Sequence, residues 1–100
     1  VTPLAPARLT DAYSAGISVV LFTTDDPLGA DARAVAHRIS EVLGDHVRFW
    51  DCRIRSAADT AEVECCRVPQ YRFIVGGSEQ SAHVGVLEDE QLLAMIRELS

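Results

Sequence analysis

The sequence contains no lysine. All nine of its basic side chains are arginines, set against fifteen Asp and Glu for a net charge of −6. That balance argues against a nucleic-acid backbone as partner, because phosphates reward clustered positive charge. It favours a basic partner instead. Long apolar runs are missing too. Ile17 to Phe22 falls far short of the roughly 20 residues that span a bilayer, so no membrane insertion is expected. The opening residues show no basic stretch leading into an apolar one, the mark of a secretory signal. They begin at Val1 rather than Met, which is compatible with further residues upstream.

Cysteine is scarce. Cys52, Cys65 and Cys66 are too few, and odd in number, for the disulfide framework of a small secreted domain. Adjacent cysteines bridge each other only in a strained ring. The expected state is reduced thiols, partly buried as small hydrophobes, in a cytoplasmic protein. Zinc sites usually put two to four residues between their cysteines, so the sequence implies no metal. His37, His46 and His83 are scattered, with no Ser, Cys or carboxylate at a catalytic spacing. Neither a catalytic residue nor a cofactor is implied.

What is present is a core. At 48% hydrophobic over 100 residues the chain reads as one small domain, residues 1–100, with no repeats and no low-complexity stretch. Residues 1–16 open with Pro3 and Pro6. They then become helix-compatible, with Leu9, Ala12 and Tyr13 at i, i+3 and i+4. Residues 17–23 are β-branched and continuously apolar, a strand buried on both faces. Ala32 to Leu43 is the strongest helix signal, with Val35, Ile39, Val42 and Leu43 on one face and Gly44 as its stop. A second strand follows, placing Trp50, Cys52 and Ile54 on one face and Val47 and Phe49 on the other. Ser56, with Asp59 three residues on, opens a short helix. A strand headed by Pro69 turns at Gly76-Gly77 into another, forming an antiparallel hairpin. The last helix keeps acids in its first turn and directs Leu92, Met95, Ile96 and Leu99 inward. Arginines 48, 53, 55 and 72 read as solvated strand ends or members of local ion pairs. The expected architecture is α/β: a four-stranded mixed sheet with helices on both faces, its first two strands parallel through a right-handed crossover.

That order, with "VPQYRFIVGGSEQSAHVGVLEDEQLLAMIREL", resembles the thioredoxin-like superfamily over residues 17–99. The resemblance puts Val68-Pro69 on the cis-proline pair, Gly76-Gly77 on the hairpin turn and Gly85 on the glycine beside a bound peptide. It puts the Cys-x-x-Cys motif on Pro27-Leu28-Gly29-Ala30 and the buried acid on Leu21, so both elements of dithiol chemistry are missing. A redox member needs a thiolate at this helix start. The segment "VVLFTTDDP", followed by a helix and a Pro-headed strand, is similar to the thioredoxin-like hydrogenase accessory proteins. Their resemblance implies a redox-inactive, non-enzymatic chaperone in [NiFe]-hydrogenase maturation, acting in the cytoplasm. Its partner would be the hydrogenase small subunit, or that subunit's twin-arginine signal peptide, before export.

The expected partner-binding residues are Asp25, Asp26 and Pro27 at the junction, Val68 and Pro69, Gly85, and Glu88 and Asp89 at the start of the last helix. Asp26 reads equally well as the N-cap of a helix begun by Pro27. Two other readings stay open. One is a thiol-redox protein using Cys65 and Cys66. The other is a redox-dead thioredoxin-like interaction domain of a larger protein.

Overall fold

The computed structural model describes residues 1–65 and 67–99. Among these, five strands form one sheet: β1 (Thr2–Pro3), β2 (Ile17–Thr23), β3 (Val47–Arg53), β4 (Gln70–Val75) and β5 (Ser78–Val84), in the order β1-β3-β2-β4-β5. The helices are α1 (Pro27–Leu43), α2 (Ala57–Val63) and α3 (Asp89–Glu98). β2 and β3 are parallel, joined through α1. β4 runs antiparallel to β2 and to β5. This is the expected α/β thioredoxin-like architecture, with one strand more than the sequence indicated.

The extra strand replaces part of the helical segment expected over residues 1–16. Thr2 and Pro3 pair in parallel with Trp50 and Asp51, and Leu4 N–H donates to the Asp51 carbonyl at 2.9 Å. Two residues containing a proline show no alternation, and an edge position tolerates the missing N–H. Pro6–Ala12 is then 3-10 rather than α, kinked at Arg8. Proline at its start and a single buried residue, Ala12, leave little to hold a longer helix.

The sheet separates two cores. On one face α1 and α3 cover Val19, Leu21, Phe49, Tyr71 and Phe73 with Val35, Ile39, Leu92 and Ile96. On the other, the 3-10 segment and α2 cover Val20, Phe22, Cys52, Ile54 and Ile74 with Ala12, Val63 and Cys65. β2 alternates between these cores, which is why it reads as an unbroken apolar run. Gly76 and Gly77 take positive φ values of 60° and 82° in the β4–β5 turn, which side-chain-bearing residues adopt only with strain. The β4–β5 ladder carries a bulge between Phe73 and Ile74.

Arginine 72 departs most from the sequence reading. It is buried, 8% exposed, and faces the second core. Its guanidinium lies 4.6 Å from the centre of the Phe22 ring. Its Nε is 2.8 Å from Glu79 Oε1 in an ion pair, at an angle too poor for a hydrogen bond. The other nitrogens reach Tyr13 Oη at 3.5 Å, the Val63 carbonyl at 3.4 Å and Gln70 Oε1 at 3.4 Å. A ring of long polar contacts and one carboxylate makes its burial tolerable.

Candidate functional site at one end of the sheet

Strand register gathers the expected site residues. Phe22 pairs with Gln70, Gln70 with Val84, and Thr23 with Arg53. The ends of β2, β3 and β5 therefore share one end of the sheet with the start of β4. Residues 25–27, Val68-Pro69 and Gly85 all emerge there. Val68-Pro69 is cis, as the resemblance implied. Gly85 N–H donates to the Pro69 carbonyl at 2.8 Å, so the two loops are bonded directly. Gly85 has φ 104°, a conformation that excludes an ordinary side chain.

The junction after β2 is built for closure. Asp26 is the N-cap of α1 and Pro27 its first residue. Asp26 Oδ1 accepts from Gly29 N–H at 2.7 Å, and Oδ2 accepts from the Thr24 hydroxyl at 2.6 Å. These bonds, the Thr24 hydroxyl foremost, hold the Asp26 carboxyl below its ordinary value of 3.8. A Cβ on Gly29 would meet the Thr24 carbonyl at 2.1 Å, so the first turn of α1 closes only over a glycine. No cysteine occupies residues 27–30.

The acids here are not idle. Asp25 is ion-paired with Arg53 and lies 3.6 Å from Arg55 Nε. Asp89 accepts two bonds from Arg38, at 2.7 and 2.8 Å, which tie α3 to α1 and hold Asp89 below the usual carboxylate range. Glu88 forms a capping box with Gln91: its side chain accepts from the Gln91 N–H, and Gln91 Oε1 accepts from the Glu88 N–H at 3.0 Å. Each of the four carboxylates expected to meet a partner already has an internal one.

Sequence reasoning missed Asp51. It pairs in register with Leu21, the position where the resemblance expects a buried acid. Its carboxylate accepts from Thr23 Oγ1 at 3.0 Å and from Arg53 Nε at 3.0 Å. Arg33 of α1 completes the set, donating to Thr23 Oγ1 at 2.9 Å and to the Thr24 carbonyl at 3.2 Å. The arrangement stitches helix to sheet. The polar-apolar alternation of β3 was visible, but a partner 28 residues away was not.

The thiols lie behind this end. Burial, with the nearby Asp51 charge second, pushes Cys52 up to about 11, leaving it neutral and unreactive at neutral pH. Cys65 is buried. Its Sγ lies 3.3 Å from the Arg67 carbonyl and 3.5 Å from Gln70 Oε1, contacts that brace the loop leading into Pro69. Cys66, the other half of the vicinal pair, lies outside the described residues. Among the described residues no group of three His, Cys, Asp or Glu is placed to hold a metal ion, and no helix is long and apolar enough to cross a membrane.

Apolar side chains line this end as well. Leu28 is 58% exposed, Val84 46% and Val86 37%. A cleft of about 340 Å³ lies between α1 and the β5–α3 loop, lined by Val86 together with residues including Asp31, Val35 and Arg38.

No protein-family model and no curated protein matches the sequence. Solved structures do. The thioredoxin of Malassezia sympodialis (Mala s 13) superposes with a TM-score of 0.79 at 19% identity, covering 98% of this chain and 89% of that one. A chain from a structural study of thiol resolving in yeast mitochondrial 1-Cys peroxiredoxin, via the glutathione/thioredoxin systems, superposes at 0.81 with 17% identity. It is covered to 94%, and this chain to 98%. At such identities the likeness is one of fold, and the fold of this chain is thioredoxin-like.

Proposed function

We propose that this chain is a redox-inactive accessory protein that uses the thioredoxin-like fold to hold an extended segment of a client. The client is the small subunit of an exported [NiFe]-hydrogenase, or its twin-arginine signal peptide, engaged in the cytoplasm before export. One observation carries the reading. At the helix start where dithiol chemistry would sit there is a capped, glycine-closed turn, Asp26-Pro27-Leu28-Gly29, while the adjoining Val68-Pro69 bond is cis and Gly85 N–H is bonded to the Pro69 carbonyl. The choice of client rests on the resemblance of "VVLFTTDDP" and the Pro-headed strand to the hydrogenase accessory proteins. An extended segment laid along Val68-Pro69 and Gly85 would be held through its backbone, as in strand addition.

The test is titration calorimetry with the signal peptide and with the intact small-subunit precursor, alongside a disulfide-reduction assay on insulin. Binding to either client, with no reduction of insulin, is the expected result. No binding to peptide or precursor would leave the interaction domain of a larger protein as the better reading.

A further inference from the structure

We infer that the groove between α1 and the edge strand β1 is a binding site for a small monocarboxylate with an apolar body. The groove measures about 540 Å³, a size that takes small molecules. It is lined by residues including Pro3, Ala30, Arg33, Ala34 and His37, and by none of Val68, Pro69 or Gly85. Strands β3 and β2 separate β1 from β4. The groove is therefore apart from the Pro69 loop, and its test succeeds or fails independently of the client reading.

Arg33 is the residue that points to a ligand. It is partly buried, and its Nη1 is fixed from within the fold, donating to Thr23 Oγ1 at 2.9 Å and to the Thr24 carbonyl at 3.2 Å. Its Nε and Nη2 make no hydrogen bond, and the side chain no ion pair, among the described residues. Arg38 shows what that pair of nitrogens does when engaged: its Nε and Nη2 hold the two oxygens of Asp89 at 2.7 and 2.8 Å. A guanidinium already held through Nη1 loses little freedom on binding, and its open side is a planar fork matched to a carboxylate.

The surroundings decide which anion fits. Asp51 lines the groove, and Asp26 is close enough to feel the Arg33 charge. Both carboxylates are engaged within the fold, Asp51 by Thr23 and Arg53, Asp26 by Thr24 and Gly29. Their charges oppose a dianion such as phosphate, for which the groove offers no second open guanidinium. Arg38 is held by Asp89, and His37 Nε2 lies 3.2 Å from Glu41 Oε1. A single negative charge is met by the single open fork. The hydrocarbon of Pro3, Ala30 and Ala34 then takes an apolar body of a few carbons, which displaces water from them. A free carboxylic acid and the carboxyl-terminal residue of a peptide share this chemistry.

Amide NMR titration of the full chain tests this with five probes: hexanoate, hexanamide, acetate, inorganic phosphate and N-acetyl-leucine. Hexanoate should give saturable shifts at Ala30, Arg33, Ala34 and His37, and at the Arg33 Nε–H, with a Kd on the order of 1 mM or tighter. Hexanamide, which lacks the charge, acetate, which lacks the body, and phosphate should each bind about tenfold more weakly or worse. Arg33→Gln should lose about tenfold toward hexanoate. Because Arg33 also ties α1 to β2, Ala34→Leu provides a second variant. Ala34 is exposed, so added bulk there should fill the groove and weaken hexanoate about tenfold at an unchanged melting temperature. Tighter binding of N-acetyl-leucine than of hexanoate would identify a peptide terminus as the source, and the reverse order a free acid; either upholds the carboxylate site. Hexanamide or phosphate binding as well as hexanoate would overturn the inference. So would shifts centred away from Arg33, hexanoate binding unaltered in Ala34→Leu, or no saturable shift with any carboxylate at about 50 mM.

Discussion

The two faces of the sheet solve the same packing problem with different materials. Under α1 and α3 the core is hydrocarbon, apart from the Tyr71 hydroxyl, which accepts from Leu87 N–H at 3.3 Å. Under the 3-10 segment and α2 the core includes the thiols of Cys52 and Cys65 and the guanidinium of Arg72. The first face has long helices to bury it; the second has one kinked 3-10 segment and a seven-residue helix. Where helical cover is thin, a long side chain with an apolar stem fills space, and its charge is met at the rim by Glu79. The first face therefore carries stability, and the second carries geometry. Gln70, bonded to Arg72 and in contact with Cys65, connects that geometry to the loop before Pro69.

Adjacent residues on β4 make the sharpest comparison, since Phe73 faces the first core and Arg72 the second. Phe73→Ala should cost about 3–5 kcal/mol by urea denaturation, a large part of the roughly 5–15 kcal/mol that holds a domain of this size. Arg72→Met should stay within about 1 kcal/mol of the parent, because the stem is replaced and a buried charge removed. If Arg72→Met cost as much as Phe73→Ala, the two faces would be energetically alike and the contrast would fail.

The next test concerns the junction where α1 leaves the first face. Gly29→Ala should cost about 3 kcal/mol in the same denaturation experiment, since the methyl collides with the Thr24 backbone carbonyl, which has little room to move. A cost near zero would mean that the turn can open, and that a reactive side chain could have been accommodated there.

A smaller effect separates the faces by pH. The Asp26 carboxyl titrates below 3.8 in the folded chain, so its stabilising contribution is complete above that value and is lost as pH falls through the lower, folded one. The difference in melting temperature between parent and Asp26→Asn should therefore be constant from neutrality to about pH 4.5 and shrink below it. A difference that grew on acidification would reverse the assignment.

The smallest effect is chemical rather than energetic. With its thiol raised to about 11, Cys52 should resist alkylation by iodoacetamide at pH 8 in the folded chain and react once urea unfolds it, as read by peptide mass spectrometry. Rapid labelling in the folded state would show that the second face opens to solvent.

How much of this the sequence disclosed depends on range. The Asp26 and Ser56 caps, the apolar stripe of α3 and the double burial of β2 are local patterns of spacing, and each was legible. The cis-proline loop was legible only through family resemblance. Strand β1 was not, because two residues give no period. The partners of the acids were also hidden: Asp25 meets Arg53 across 28 positions, and Asp89 meets Arg38 across 51. Charge counting finds the acids but not the arginines that occupy them. The same holds for Arg72, whose burial depends on thin cover from elements far along the chain.

The bulge between Phe73 and Ile74 bears on how the molecule tolerates its own company. β5 is a seven-residue edge without proline or lysine, the kind of strand that recruits neighbouring chains into a growing sheet. A bulge bends such a strand and breaks the regular spacing of its outward amides and carbonyls. Another copy therefore meets no straight template along Ser78–Val84, which disfavours growth of the sheet through this edge.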